Sequence, residues 1–406
     1  MARRLLAAFL AGCALTGTAL AQVAVSANDG KAVLSENGQT VVPLAPLPDS
    51  VTVYRLGGKL PQLIGEVQVP TSVVGPPQSV AIAPDESYAL VTAATKLDPA
   101  DPSKTVPNDT VSVVDLKTLS VVQTVQAGPG ASGVSINRAG TLALVANRVE
   151  STVSVFTIAG GRLSAMGKVF LEEDSSPALA VFTPDGSRAL LTRDGDSRIS
   201  VLAIDGAKVT DTGYAIYAGL RPYAIEMSGK GDYAVVANIG IGGHDNDSIS
   251  LINMNSVPVR VVDTQSVAPS PEGLAVSGDG KFIAVSSLNG SNFARGELGA
   301  HDGGILQIFQ RDGLGLKQVA FAPVGRFCEG TAWSADHRQL LLQCMADKEI
   351  EVFAFDGHHL RRTGALAVPN GPAGIRVADS AAGPARAERP VKAVTVRKVV
   401  KKKRRH

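Results

Sequence analysis

Aromatic side chains are scarce in this chain: Phe, Tyr and Trp together make up 4% of it, with a single tryptophan. A core of any size must therefore be built from Val, Ile, Leu and Ala, which pack well on many short strands. No apolar run reaches the roughly 20 residues that cross a bilayer as a helix, which argues against a helical membrane protein. A glycine-rich nucleotide loop, a nucleophile elbow, a metalloprotease His pair and a CxxC are all missing, so the commonest nucleotide, serine-hydrolase, zinc-protease and dithiol signatures drop out. Turn formers are plentiful instead, with 42 Gly and 23 Pro among 406 residues. An all-β chain is the reading that fits.

Residues 1–21 carry Arg3 and Arg4, an apolar run from Leu5 to Leu15, and the small-residue ending Ala19-Leu20-Ala21. This is the pattern of a removable secretory signal, so the expected location is periplasmic or secreted. Leu10-Ala11-Gly12-Cys13 also has the outline of a lipidation site, which leaves Cys13 as an alternative processing point. Beyond the leader only Cys328 and Cys344 remain. In an oxidising compartment two nearby thiols join. Charge is segregated: Arg386 to His406 holds ten Lys or Arg against Glu388 alone, leaving 27 basic and 36 acidic residues over Gln22 to Ala385. The expected division is a leader at 1–21, a body at 22–380 and a disordered basic tail at 381–406. The tail suits an anionic surface or polymer. It lacks the interleaved aromatics of base recognition, so sequence-specific nucleic-acid binding is not expected.

One unit recurs along the body: a leading small residue or Pro, an alternating apolar strand, a tight turn, and a second apolar strand. Complete copies start at Pro77, Ala131, Pro177, Pro222, Pro271 and Cys328, and a seventh opens at Pro372 and stops. Their turns centre on positions 85, 139, 185, 230, 279 and 336, and the spacings of 45 to 57 residues match four-stranded blades with loops. The segments at Ala32-Val33-Leu34, Asp49 to Tyr54 and Ile64 to Val69 look like the missing strands of the seventh unit. A seven-bladed β-propeller of antiparallel blades follows, closed by pairing of the two ends and expected to be monomeric. Tyr233-Ala234-Val235-Val236-Ala237-Asn238 followed by Asn246-Asp247-Ser248-Ile249-Ser250-Leu251-Ile252-Asn253, and Asn108 to Asp115, resemble the YVTN propeller repeat. That resemblance implies a fold shared with lactonase-type propellers, and members that are mostly extracytoplasmic and often act in binding.

The register also marks candidate residues. The position after each leading residue is occupied by Gln78, Ser132, Ala178, Tyr223, Glu272, Glu329 and Ala373, expected to ring one mouth of the central channel. Glu272 and Glu329 fall in neighbouring blades, with Arg221, Tyr223 and Arg326 nearby; two close carboxyls can hold a cation or a basic group, share a proton, or pair with the arginines. The loops Lys96 to Asn108, Ile239 to Asp247 and Asn289 to Gly304 are enlarged, and enlarged loops on one face usually serve recognition. Two of them carry His244, Asp245 and Asp247, and His301 and Asp302, residue types that suit a divalent ion, although their sequences are equally ordinary turns. No residue demands another cofactor. Cys328 and Cys344 stand eight residues either side of Asp336, which predicts a disulfide across one hairpin.

Two functional readings follow. The first is an exported, non-catalytic propeller of the cell envelope that recognises a protein or anionic polymer through its loop face. The second is a lactonase-like hydrolase using Glu272, Glu329, Arg221 and a histidine at the channel mouth. A third, an accessory to periplasmic redox enzymes, rests on the resemblance alone.

Overall fold

The structure, a computed structural model, describes residues 22–378. The leader-like segment 1–21, with Cys13, and the basic tail 381–406 lie outside the described residues. Seven four-stranded antiparallel sheets account for the whole described architecture apart from one two-stranded hairpin. Blade 1 runs through Val80–Ile82, Tyr88–Leu97, Thr105–Asp115 and Ser120–Gln126. Blades 2 to 6 begin with the inner strands Ala131–Ile136, Pro177–Phe182, Pro222–Met227, Pro271–Val276 and Cys328–Trp333, each followed in order by three more strands. Among the described residues no helix is long and apolar enough to cross a membrane.

Each blade is apolar on both faces, so its two middle strands are almost wholly dry: Leu90, Leu144, Leu190, Val235, Val285 and Leu341 are all 0% exposed. Burial on both faces requires a neighbour on each side. Seven apolar clusters satisfy it, one between every adjacent pair of blades, including Val80 and Val91 against Val25 and Val51 at the closing joint.

Closure is made by Val23–Asp29, which pairs antiparallel with the inner strand Gly371–Val377 on one edge and with Ser50–Arg55 on the other. This corrects the strand expected at Ala32 to Leu34. Val33–Leu34 instead pairs with Thr40–Val41 in a small hairpin within the following loop. The apolar alternation of Val23 to Ala27 runs directly against the cleavage-like residues and was not singled out as a strand. The enlarged loop of blade 1 also differs from expectation: its strands extend to Leu97 and from Thr105, so most of it is hairpin rather than irregular chain.

Asn at the end of a second strand locks its blade. Asn147 donates to the Thr152 and Ser154 hydroxyls at 2.8 and 2.9 Å and accepts from the Gly128 N–H at 3.0 Å. Asn238 likewise donates to Ser248, Ser250 and the Ala218 carbonyl. Asn147→Ala would strand three buried polar groups and is expected to cost about 2–3 kcal/mol. Urea unfolding of the variant measures this; an unchanged midpoint would refute it.

Candidate functional site

The inner strands are not regular. In blades 2 to 6 the register slips between the leading residue and the rest of the strand: Ala131/Val134, Pro177/Ala180, Pro222/Ile225, Pro271/Gly273 and Cys328/Thr331. A bulge re-aims the residue it carries, and here it carries Ser132, Ala178, Tyr223, Glu272 and Glu329 in turn. The sites expected to ring the mouth are therefore set by one recurrent distortion.

They do not all face the same space. Ser132 turns its hydroxyl toward the Ala146 and Ala178 carbonyls at 3.3 and 3.4 Å, and Gln78 is 2% exposed with its side-chain oxygen unpartnered. Arg326 spends its Nε on the Ser291 carbonyl and its backbone N–H on Asp347, away from the carboxyls. Blades 2 to 6 nevertheless bring six polar groups together: Arg148, Asp194, Arg221, Tyr223, Glu272 and Glu329.

Asp194 ties two arginines. Its Oδ1 accepts from Arg221 Nε at 2.7 Å and its Oδ2 accepts from Arg148 Nη2 at 2.5 Å. Burial alone would raise the Asp194 pKa, but the hydrogen bond from Arg221 and the charge and hydrogen bond of Arg148 outweigh it, and the carboxyl sits below its ordinary range. Arg221 reaches this position from a backbone at φ 55°, just ahead of the bulge. The Arg148 guanidinium lies 5.5 Å from the centre of the Tyr223 ring, within cation–π range. Burial lifts the Tyr223 phenol well above its usual value; Arg148 opposes that rise, while Glu272 and Glu329 add to it.

Glu272 and Glu329 share a hydrogen bond. Burial raises both, and the negative charge of Glu272 and the hydrogen bond to it raise Glu329 further, well above the ordinary carboxyl value. Glu272 is raised less, because the bond from Glu329 and the charge of Arg221 work against its desolvation. Two polar atoms here lack a partner: Glu329 Oε1 and Arg148 Nη1. Arg148 also lines a surface cleft of about 210 Å³ beneath the blade 1 hairpin, together with Thr95, Thr105, Pro107 and Val149. One guanidinium thus belongs both to an open cleft and to the buried cluster.

Arg148 and Asp194 were not singled out from the sequence. The available signal was positional: each follows the last residue of a second strand, Asn147 and Arg193, in neighbouring blades. The predicted disulfide is present between Cys328 and Cys344, which are cross-strand partners at the base of the blade 6 bulge, next to Glu329. The histidine loops meet differently from the cation arrangement considered above. His244 packs edge-on against Phe293 at 5.3 Å, joining the blade 4 and blade 5 loops. Asp247 accepts from the Ser270 N–H at 2.7 Å, while Asp245, His301 and Asp302 are exposed. Among the described residues no three His, Cys, Asp or Glu side chains form a group able to hold a metal ion.

The raised Glu329 pKa has a testable sign. The folded protein holds a proton that the unfolded chain releases near the ordinary value of 4.5, so this stabilisation is complete below that pH and is lost as pH climbs toward the folded-state value. Glu329→Gln keeps a neutral donor and has no proton to lose. Its melting temperature is expected to rise relative to wild type as pH increases above about 4.5; parallel melting curves would rule out a buried protonated carboxyl.

No protein-family model matches the chain, and no curated protein does, so the YVTN likeness stays a resemblance of motifs. Solved structures do match. A putative 6-phosphogluconolactonase from Bacteroides fragilis is 17% identical with a TM-score of 0.64, over 89% of this chain and 99% of that one. The Pseudomonas aeruginosa periplasmic gluconolactonase is 19% identical with a TM-score of 0.62, over 87% and 99%. A functionally unknown protein from Desulfotomaculum acetoxidans is 14% identical with a TM-score of 0.65, over 88% and 99%. At such identities the likeness carries the fold and not the activity: the chain is a seven-bladed β-propeller sharing its architecture with proteins named as lactonases.

Proposed function

We propose that the channel mouth is a hydrolytic site of lactonase type, acting on a small hydroxylated lactone. The observation that carries this reading is the Glu272–Glu329 pair, two hydrogen-bonded carboxyls whose pKa values burial raises, Glu329 the more strongly, in a cluster with an arginine that has an unused N–H. A carboxyl pair sharing one proton is chemistry for splitting water against an acyl group. Glu272, the more accessible member, acts in its ionised form: it takes a proton from water, and the hydroxide forms a bond to the lactone carbonyl carbon. Arg148 Nη1–H meets the oxyanion that develops. Collapse breaks the ring C–O bond, and the departing oxygen takes the proton of Glu329. The pair ends with one proton, now on Glu272, and resets by passing it back. The resemblance to lactonase-named propellers supports the substrate class.

A second reading keeps its place on a separate observation. Ile241 and Leu298, on the enlarged loops of blades 4 and 5, are each 80% exposed, a surface suited to contact by a protein or polymer. In that reading the chain is an exported envelope binding protein, and the basic tail adds attachment to an anionic surface.

The test is a lactone-hydrolysis screen with wild type, Glu272→Gln and Arg148→Ala. The expected result is turnover with a bell-shaped pH dependence, since activity needs one proton on the pair, and a loss of about 100-fold in kcat for either variant. No turnover of any sugar lactone by the folded wild type, or variants as active as wild type, would sink the hydrolase and favour the binding reading.

A further inference from the structure

A second cavity lies at the opposite end of the channel from the carboxyl pair. It encloses about 190 Å³ and takes a wall from every blade. The repeat register explains its chemistry. Counting from the leading residue of each inner strand, the sixth position is apolar in all seven blades: Phe182, Met227, Val276 and Trp333 among them, with Ile or Val in the others. Inner strands that all run the same way along one axis turn this shared register into an apolar collar.

The fifth position is uncharged in five blades and charged in two, Glu226 of blade 4 and Arg376 of blade 7. These blades stand three apart in a ring of seven, so the two side chains reach each other across the lumen, where Arg376 Nη1 donates to Glu226 Oε1. Ser135, at the fifth position of blade 2, lines the same cavity with a buried hydroxyl that has no partner. Trp333 gives its indole N–H to the Ala275 carbonyl at 3.2 Å and packs at a tilt against Phe355, with ring centres 5.6 Å apart, so what it offers the cavity is apolar surface.

We infer that this collar is a second ligand site, for a small uncharged molecule with an apolar ring and one hydrogen-bonding head. The ring-sized body follows from the volume and the seven apolar walls. The uncharged head follows from the floor: Glu226 and Arg376 neutralise one another there, and Arg138, the other charged residue on the lining, is exposed with its Nη1 on the Gly229 carbonyl at 3.4 Å, so a charged head at the floor would lose its hydration without gaining a counter-charge. The Ser135 hydroxyl supplies the polar contact. Apolar walls with a few convergent polar groups are the general form of a small-molecule site. This site does not depend on the hydrolase reading, because it shares no residue with the carboxyl cluster.

Trp333 is the sole tryptophan of the chain, so the cavity reports on itself. The full chain is titrated with 4-nitrobenzyl alcohol, a neutral quencher, while Trp333 fluorescence is followed. Saturable quenching is expected, reversed by benzyl alcohol, about tenfold weaker for 4-nitrobenzoate, and about tenfold weaker in Val276→Phe, which fills the collar. Ser135→Ala, which leaves the walls intact, should weaken binding severalfold and stands in if the filled variant does not fold. Quenching that stays linear with concentration, or binding of nitrobenzoate as tight as that of the alcohol, overturns the inference. Saturable binding seen only after removal of residues 379–406 overturns it too, since the collar would then be a seat for the chain's own tail.

Discussion

Everything in this molecule depends on a strand with partners on both edges. Val23–Asp29 lies between Gly371–Val377 and Ser50–Arg55, and so joins residues separated by nearly the whole described chain. Because each blade is apolar on both faces, a ring missing that joint would leave two faces wet and two edges unpaired, a liability that grows with neither blade's own stability. Long-range closure costs entropy that rises only slowly with loop length, while the gain is a complete interface, with Val25, Val51, Val80 and Val91 all fully buried in it. Gln343 extends the joint sideways, donating to Ser26 of the closing strand and to the Gly374 carbonyl.

Given that ring, the polar chemistry arises where individual blades depart from the shared pattern. The partner of the leading residue is Asn in blades 2 and 4, Arg193 in blade 3, Ser287 in blade 5 and Cys344 in blade 6. In the Asn blades that residue ties strands together by hydrogen bonds; in blade 6 a covalent bond does so. Arg193, 2% exposed, is held by Asp196 and Glu172. The bulge beside this position is common to all five blades, and the residue it presents decides whether a blade adds packing, as Ala178 does, or chemistry, as Glu272 and Glu329 do.

The two ends of the channel solve the problem of buried charge differently. At one mouth two arginines are joined through Asp194, and two carboxyls share a hydrogen bond, with the Glu329 pKa raised well above its ordinary value. At the other, one acid and one base from blades three apart neutralise each other on the floor of an apolar collar. Both arrangements leave the lumen close to electrically balanced. A desolvated charge with no partner would cost several kcal/mol, and the described channel is organised around avoiding that. The unused Arg148 Nη1 and Glu329 Oε1 stand out against this background as the groups a bound molecule would meet.

The blade number, the strand order and the disulfide were legible in the chain because they rest on local signals repeated many times: alternating apolar residues, turn residues at fixed offsets, and two cysteines symmetric about one turn. The closing strand was harder to read, since Val23 to Ala27 is a single unrepeated segment beside the leader-like residues. Glu272, Glu329, Arg221 and Tyr223 were visible as register positions, but their meeting with Arg148 and Asp194 was not, nor was the turning of Ser132 into a blade interface. Those outcomes depend on which way a bulge aims a side chain and on which blades face each other across the axis, quantities fixed by sheet twist and ring closure over hundreds of residues. The sequence alone therefore determined the fold and the places where chemistry could sit; only the tertiary structure decided which of those places meet, because charges and hydrogen bonds act over a few ångströms while the repeat spaces them by about fifty residues.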